Sequence, residues 1–362
     1  MDLAALANTV GDDWTLMIGG GAIGLLFGAF AQQSRFCLRS AVIEFAHGDI
    51  GEKTAVWLLV FTIAVAGTGL LDLSGVIAVT EARQLASPQS LSGAAVGGLM
   101  FGAGMVLARG CASRLLVLSA TGNLRALVSG LVFAVVAQAS LHGMLSPVRD
   151  RIAALAITAA GGGNDLVRMS GIGTGAAVAI ACMAAVAAIG LALYRRLPLR
   201  RLVFACLVGA CIPAAWWFTY TMSGIAFEAV RLEAISFTGP SADALMRVLN
   251  RPGTGLDFDT GLVPGVFLGA FIAAALTGEL RLQGFEGGAP MRRYLVGAAL
   301  MGFGGMLAGG CAVGAGVTGA SVFALTAWIT LFAIWLSAGL TDWLVDRGAA
   351  PALPAATPVP RD

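Results

Sequence analysis

Long apolar segments recur along the chain and are separated by short polar or charged connections. A helix that spans a bilayer needs about 20 consecutive, mostly apolar residues. The pattern therefore predicts an all-α polytopic membrane protein with about nine spanning helices. The predicted spans lie near residues 14–32, 54–72, 90–109, 123–145, 172–194, 202–220, 261–278, 290–309 and 324–345.

Five shorter segments do not fit a full crossing. Three are apolar, at 34–46, 111–121 and 311–323, and each follows a glycine-rich span and begins at or near a cysteine. Apolar segments of this length at membrane depth are typical of re-entrant half-helices. The segments 147–158 and 240–250 mix apolar and charged residues, and we expect them to lie at the membrane interface.

The overall composition agrees with this pattern. Of 362 residues, 58% are hydrophobic and 12% are charged, and the mean hydropathy is +0.86. Soluble domains usually hold about 45–50% apolar residues, so we expect a lipid bilayer to surround the chain. No basic, polar domain is available to bind nucleic acid. The start of the chain lacks the basic region of a cleavable signal, so the first span should be retained.

Basic residues predict the orientation, because Lys and Arg collect in cytoplasmic loops. The stretch "RRLPLRR" at 195–201 carries four arginines and should be cytoplasmic. Nine spans then place the N-terminus outside and the C-terminus inside, with 15 of the 22 Lys and Arg residues on the cytoplasmic side. The Pro- and Ala-rich tail at 346–362 should be disordered in the cytoplasm.

One phrase is written twice at a fixed offset of 200. Residues 97–112, "GGLMFGAGMVLARGCA", and 297–312, "GAALMGFGGMLAGGCA", are identical at eight of sixteen positions. Five spans separate the two breaks, so the copies should point in opposite directions. That arrangement is an inverted repeat with a pseudo-two-fold axis, which is typical of secondary transporters.

The repeat divides a single transmembrane domain over 1–345 into two halves. The first half-repeat would cover 14–145 and the second 202–345, and the helix at 172–194 would link them. A second similarity, "GLLFGAF" at 24–30 and "GVFLGAF" at 265–271, joins spans that run in the same direction. We interpret it as shared glycine-mediated helix packing.

The Gly-Cys pairs at the end of each copy suggest a binding role. A helix that stops at Gly110 or Gly310 and restarts leaves backbone N–H groups unpaired, and these attract anions. Cysteine adds a thiol that is a weak donor and a soft, polarizable atom. "SRFC", from Ser34 to Cys37, is a third such place, so Cys37, Cys111 and Cys311 predict a line of thiols along a path.

The other three cysteines, Cys182, Cys206 and Cys211, fall inside ordinary spans and are expected to be packing residues. The spacing of the six cysteines shows no CxxC pair and no Cys/His metal motif, so we expect no metal and no cofactor.

Arginines flank the predicted path. Arg35, Arg39 and Arg109, together with Arg114, lie beside the cysteines on the cytoplasmic side and could draw an anion inward. The alternative interpretation is that they only anchor the chain by the positive-inside rule.

Three classes of function remain open from the residues: a permease for a sulfur anion, a membrane thiol sulfurtransferase or redox protein, and a soft-metal transporter. A thiol enzyme usually needs a paired or resolving cysteine, and three thiolates could bind Cu(I). The lack of CxxC, Met-rich and His-rich motifs argues against the metal.

Several segments resemble the YeeE/YedE family of bacterial sulfur-transport membrane proteins. They are "QSRFC", "FGAGMVLARGCASRLL" with "TGNLRALV", and "LMGFGGMLAGGCAVGAGVTG". The resemblance implies a transporter, not an enzyme, that takes up thiosulfate across the bacterial cytoplasmic (inner) membrane. It also implies that Cys37, Cys111 and Cys311 are the essential cysteines, and that a small cytoplasmic TusA-like sulfurtransferase accepts the sulfur. Other sulfur or selenium species remain alternative substrates.

Together, repeat and orientation predict where the cysteines meet. Cys111 should enter with a half-helix from the cytoplasmic side, Cys311 should enter from outside, and both should lie near the midplane. Cys37 should join Cys111, because the corresponding break near 222–236 has no cysteine.

Overall fold

The computed structural model describes residues 3–159, 163–249, 255–285 and 288–347. Within these residues, nine helical segments are long and apolar enough to cross a membrane, which confirms the predicted number. The long helices are α2 (Asp12–Ser34), α4 (Glu52–Leu73), α6 (Leu91–Leu107), α8 (Leu124–Leu141), α11 (Thr174–Tyr194), α12 (Leu199–Ile225), α14 (Phe258–Leu276), α15 (Gly288–Leu307) and α17 (Leu325–Thr341).

Shorter helices fill the connections. They are α1 (Leu3–Val10), α3 (Leu38–Ala46), α5 (Arg83–Ala86), α7 (Ala112–Ala120), α9 (Ser146–Ala153), α10 (Leu166–Ser170), α13 (Thr238–Leu249) and α16 (Gly319–Ser321). A π-helical segment, Ala312–Thr318, precedes α16, and another, Asp342–Arg347, follows α17. The three predicted short apolar segments therefore correspond to α3, to α7, and to the first π-helical segment with α16.

α6 and α15 carry the repeated phrase, and they run antiparallel in close contact. A Cβ atom added at Gly97 would lie 2.5 Å from the carbonyl oxygen of Gly304, and one added at Gly304 would lie 2.7 Å from that of Gly97. Gly104 and Gly297 meet in the same reciprocal way, at 2.5 and 2.6 Å. An offset of 200 converts the first contact into the second, which is the signature of a two-fold axis between the helices. This is the packing that the predicted inverted repeat requires.

The helices around α6 and α15 are related by the same two-fold axis, which exchanges each helix of one half with its equivalent in the other. α6 packs against α17 and α15 packs against α8, while α2 packs against α14 and α12 packs against α4. Among the short elements, α3 lies against α4 and α17, and α13 lies against α14 and α8. The exchange thus relates α2 to α12, α3 to α13 and α4 to α14, whereas α11 packs against α4 without a counterpart.

α2 and α14 run parallel and touch along two stripes of glycine at four-residue spacing: Gly20, Gly24 and Gly28 on one helix, Gly261, Gly265 and Gly269 on the other. A Cβ atom at Gly28 would lie 2.1 Å from the carbonyl oxygen of Val266, so no side chain fits between the two backbones. Small residues permit this approach in lipid. The similarity between 24–30 and 265–271 is therefore a packing feature of two helices in contact.

The loop between α11 and α12 marks one face of the bundle, which we call the arginine-loop face. Arg195 pairs with Asp49 at 3.6 Å and Arg201 pairs with Glu52 at 2.8 Å, so the start of α4 lies on this face. The side chain of Arg200 donates to Gln33, which places the end of α2 there as well. On the opposite face, the backbone N–H of Phe227, beyond the end of α12, donates to Asp12 at the start of α2 at 3.0 Å.

The segment that contains the predicted tail begins as ordered structure. Asp346 accepts from Arg293 at 2.7 Å and pairs with Arg39 at 3.5 Å, so helical structure reaches past the expected boundary at 346, and disorder of the tail stays a prediction. Residues 348–362 lie outside the described residues.

Candidate functional site

Each of the three predicted cysteines occupies the same local structure. A residue in the left-handed region ends the preceding helix, and the cysteine two positions later is the N-cap of the following short helix. The left-handed residues are Arg35, Arg109 and Gly309, with φ angles of 56°, 56° and 78°. The breaks therefore point the first N–H groups of three short helices at positions next to thiols, where they lack intrahelical partners.

The helix ends differ from the sequence expectation. α6 ends at Leu107 and α15 at Leu307, and the chain reverses at Arg109 and Gly309, not at Gly110 or Gly310. Gly310 is still needed, because a Cβ atom there would lie 2.6 Å from the backbone nitrogen of Ala315.

Gly110 is under no such constraint, since its nearest contact would be an ordinary 3.4 Å to the Leu115 side chain. The two equivalent positions therefore differ: Gly310 must be glycine for steric reasons and Gly110 need not be. Their identical place in the repeat does not show this difference.

Cys37 and Cys111 lie together. Their thiol side chains interact directly, and the hydroxyl of Ser113 lies 3.4 Å from the sulfur of Cys111. Cys111 is buried, whereas Cys37 is partly accessible and lines a cavity. The sequence predicted that Cys37 would join Cys111, and the fold brings the two side chains together across 74 residues.

Cys311 is fully buried and surrounded by backbone. The N–H of Gly314 donates to its sulfur at 3.4 Å. The backbone of Phe237 and the hydroxyl of Thr238, at the start of α13, lie on its other side. α13 was expected at the membrane interface, but its first residues are buried beside this cysteine, where α3 presents Cys37 in the other half.

A cavity of about 600 Å³ opens on the arginine-loop face, and we call it the arginine-loop vestibule. Its lining includes Ser34, Arg35, Cys37 and Arg114, together with residues at the start of α4. Ser34 is buried and its hydroxyl donates to the carbonyl oxygen of Ala31 at 3.4 Å, so it helps end α2.

The predicted arginines are used in different ways. Arg35 pairs with Glu279 at 3.5 Å and Arg39 pairs with Asp346, whereas Arg109 is exposed. Arg114, which sequence reasoning named only beside the others, lines the vestibule next to Cys37. The sequence signal that could have singled out Arg114 is its position three residues after Cys111, because residues i and i+3 share a helix face.

A second cavity of about 780 Å³ lies on the opposite face, and we call it the opposite vestibule. Gly309, Gly310 and Gly314, which flank Cys311, line its floor. Its wall carries both signs of charge: Glu81, Arg83, Arg149, Asp150, Arg231, Glu233, Asp243 and Asp259. Cys37 thus lines one vestibule and the surroundings of Cys311 line the other, while the sulfurs of Cys111 and Cys311 are buried between them.

Glu233, in the opposite vestibule, titrates near neutral pH. Burial is the largest cause and the Asp257 carboxylate is the next, and together they raise the pKa of Glu233 to about 7. Arg231 and Arg83 act in the opposite direction, and the carboxylate of Asp243 adds to the rise. The charge of this vestibule therefore changes near neutral pH.

Cys182, Cys206 and Cys211 lie in the bodies of α11 and α12, and none of them lines either vestibule. Within the part of the chain that the structure describes, no group of three or more His, Cys, Asp or Glu side chains is placed to hold a metal ion.

Nine apolar helices of spanning length among the described residues, with a cavity on each of two faces, are the architecture of a membrane transporter. The chain belongs to the sulphur transport family, whose profile matches residues 33–340. It is similar to the thiosulfate transporter TsuA of Spirochaeta thermophila, with 28% identity over 92% of this chain and 99% of the relative. It is also similar to the thiosulfate transporter TsuA of Escherichia coli K12, with 24% identity over 92% of this chain and 95% of the relative.

Proposed function

We propose that this transporter takes up thiosulfate and that the anion passes along the thiols of Cys37, Cys111 and Cys311. The observation that carries the proposal is the placement of all three cysteines as N-caps of short helices between two vestibules. The two relatives named as thiosulfate transporters support the substrate.

The chemistry of thiosulfate suits such a path. It is a dianion with hard oxygens and one soft terminal sulfur, so neutral thiols and backbone N–H groups can hold it weakly at successive places. Weak, repeated binding permits passage through a pore. The breaks around Gly110 and Gly310 supply the N–H donors, and Cys111 and Cys311 lie where the two half-paths meet near the midplane.

We further propose that the arginine-loop face is cytoplasmic, in the inner membrane of a bacterium. The positive-inside rule supports this orientation, because Arg195, Arg196, Arg200 and Arg201 all belong to that face. Labelling of single cysteines introduced at exposed positions in intact cells measures it. We expect a cysteine at Phe227 to react from outside and one at Arg196 to react only after lysis, and the reverse pattern would contradict the proposal.

A TusA-like sulfurtransferase is the cytoplasmic acceptor in this proposal. It would meet the chain on the arginine-loop face, where Cys37 lines the vestibule. Pull-down of a purified TusA-like protein by the solubilised transporter is the test. We expect the TusA-like protein to bind even after Arg195 and Arg196 are neutralised, and an unrelated small protein not to bind. No retention of the TusA-like protein at micromolar concentration would contradict the proposal.

Uptake of doubly labelled thiosulfate tests the function itself. A permease delivers the sulfane and the sulfonate sulfur at equal rates, whereas a membrane sulfurtransferase, which the Cys37–Cys111 thiol pair makes the second candidate, delivers them unequally. Parallel assays with sulfate, selenite and copper separate the other substrates. Uptake of copper without thiosulfate would overturn the proposal.

A further inference from the structure

Arg114 stands out among the cations of the arginine-loop vestibule because its charge is not neutralised. Arg35, Arg195 and Arg201 line the same cavity and each pairs with a carboxylate. Arg114 forms no ion pair with the described residues, and its Nη1 atom is buried without a hydrogen-bond partner. Arg114 as a whole is partly exposed, but a buried donor atom without a partner is costly, so Nη1 points to a partner that arrives from outside the chain.

One carboxylate that lines the cavity, Glu44, already has partners. Glu44 accepts from both the backbone N–H and the hydroxyl of Thr54, at 2.8 and 2.9 Å. Lys53 is exposed at the rim of the cavity, so its ammonium group stays solvated. Arg114 therefore has N–H donors inside this vestibule that remain available to a ligand.

The position of Arg114 adds a second favourable element. It lies in the first turn of α7, directly after Cys111, where the unpaired N–H groups give the helix end a partial positive charge. A cation is unfavourable at this end of a helix unless an anion also binds there. Arg114 and Cys37 line the same cavity, and the Cys37 thiol lies within electrostatic reach of Arg114.

The other half of the repeat has no such cation. The offset of 200 places Gly314 opposite Arg114, and a Cβ atom at Gly314 would lie 2.2 Å from the hydroxyl of Ser236. A Cβ atom has no room there, so the two halves differ at this position, with a charge on the arginine-loop side only.

We propose that Arg114 binds the oxyanion end of the transported sulfur anion and directs its terminal sulfur at the Cys37–Cys111 thiols. This rests on the proposed function and makes that site selective for anions with a trigonal face of oxygens, which the planar guanidinium matches. Sulfate shares the oxygen face and lacks the soft sulfur. Sulfate therefore binds at Arg114 and gains nothing from the thiols.

Binding of thiosulfate and of sulfate to the purified protein in detergent tests the assignment. Arg114→Gln should weaken both anions about tenfold, the loss of one charge-assisted interaction. Arg114→Lys should recover part of that loss, and Cys37→Ala should weaken thiosulfate only. The matched control is Arg195→Gln, which removes a paired arginine of the same cavity and should change binding less than twofold. A loss with Arg114→Gln no larger than with Arg195→Gln would overturn the proposal.

Chemical modification of the wild-type protein tests whether Arg114 binds the anion, and it needs no variant that must itself fold. Thiosulfate and sulfate should protect Arg114, but not Arg195, from an arginine-specific dicarbonyl reagent read by mass spectrometry; equal modification with and without anion would overturn the assignment. The two proposals fail separately. Arg114-dependent sulfate binding without thiosulfate transport contradicts the proposed function alone, and thiosulfate transport that is indifferent to Arg114 contradicts this inference alone.

Discussion

At the scale of single residues, the N-cap cysteines do two jobs at once. Ser, Thr, Asp and Asn are the usual N-caps because their oxygens accept from the exposed N–H groups. Cysteine is a weaker acceptor, so the N–H groups that it leaves less well paired stay available for a ligand. At Cys311 the sulfur does accept, from Gly314, whereas at Cys37 and Cys111 no side-chain cap forms.

Replacing the path thiols tests this scale. We expect Cys37→Ala, Cys111→Ala and Cys311→Ala each to reduce thiosulfate uptake at unchanged membrane level, because each removes a soft donor. Serine should rescue only in part, since it keeps a donor and loses polarizability. The matched control changes Cys182, Cys206 and Cys211 together to Ala and should transport at near the wild-type rate. Full uptake by all three single alanine variants would end the thiol path.

The left-handed residues give a prediction about stability. Arg109 occupies the position that Gly309 fills in the other copy, although a side chain in this region costs roughly 1–2 kcal/mol. Arg109→Gly should therefore leave the melting temperature in detergent unchanged or raised, and Arg109→Val should lower it. The β-branched side chain is the least tolerant of positive φ. Equal melting temperatures for the Gly and Val variants would contradict the role of the φ angle.

At the scale of elements, helix pairs meet through glycine because the solvent is lipid. Hydrocarbon offers little drive to bury apolar side chains, so helices associate through close backbone contact. The α6–α15 crossing uses this contact at the pseudo-two-fold axis itself, so a single change there alters the meeting of the two halves.

Enlarging that crossing should be destructive. Gly104→Leu places side-chain atoms against the backbone of Gly297, where a Cβ atom alone would lie 2.5 Å from the carbonyl oxygen. Overpacking costs about 1–3 kcal/mol even where side chains can move, and backbone cannot yield so readily. We expect loss of the monodisperse species on size exclusion. Gly190→Leu is the control, because nothing lies within 4 Å of that position on α11; equal behaviour of the two variants would contradict the packing argument.

At the scale of the whole molecule, the two vestibules differ in charge although the halves are related. The arginine-loop vestibule contains the unpaired Arg114, and the opposite vestibule contains Glu233 with its neighbouring carboxylates. A dianion therefore meets different fields at its two ends of the path. The inverted repeat supplies the common backbone, and the side chains of Arg114 and Glu233 make the charges of the two vestibules different.

Glu233 makes uptake depend on pH. Its pKa is raised to about 7, so the carboxyl is mostly neutral at lower pH and negative at higher pH. Uptake from the opposite face should therefore fall as the pH on that side rises through 7, because the carboxylate repels a dianion. The same raised pKa stabilises the fold at low pH, and that contribution is lost as pH rises towards 7.

Proteoliposomes with a fixed internal pH measure this dependence. Glu233→Gln should flatten the profile between about pH 6 and 8, the window set by the raised pKa. Glu81→Gln, in the same vestibule, is the control and should keep the wild-type profile. An unchanged profile in Glu233→Gln would assign the pH dependence to another group.

The sequence by itself determined the number of spans, the positions of the breaks and the repeat. These are local or periodic properties: about 20 apolar residues must cross a bilayer, and glycine with cysteine at a fixed offset of 200 is visible without coordinates. The three short segments and the glycine spacing of α2 and α14 follow from such patterns, whereas the path along Cys37, Cys111 and Cys311 stays a prediction. The exact residues at which the chain reverses could not be predicted from such patterns, because Arg109 is an improbable residue for a left-handed conformation.

Only the tertiary structure decided which side chains meet. Cys37 and Cys111 came into direct interaction, Arg39 was bound to Asp346, and the Nη1 atom of Arg114 was left buried without a partner. The first two outcomes join residues more than 70 positions apart, and the repeat predicted only that Cys37 would join Cys111, not which side chains Arg39 and Arg114 would meet. Burial also set the charge of Glu233, because desolvation depends on everything packed around a group and not on its neighbours in the chain.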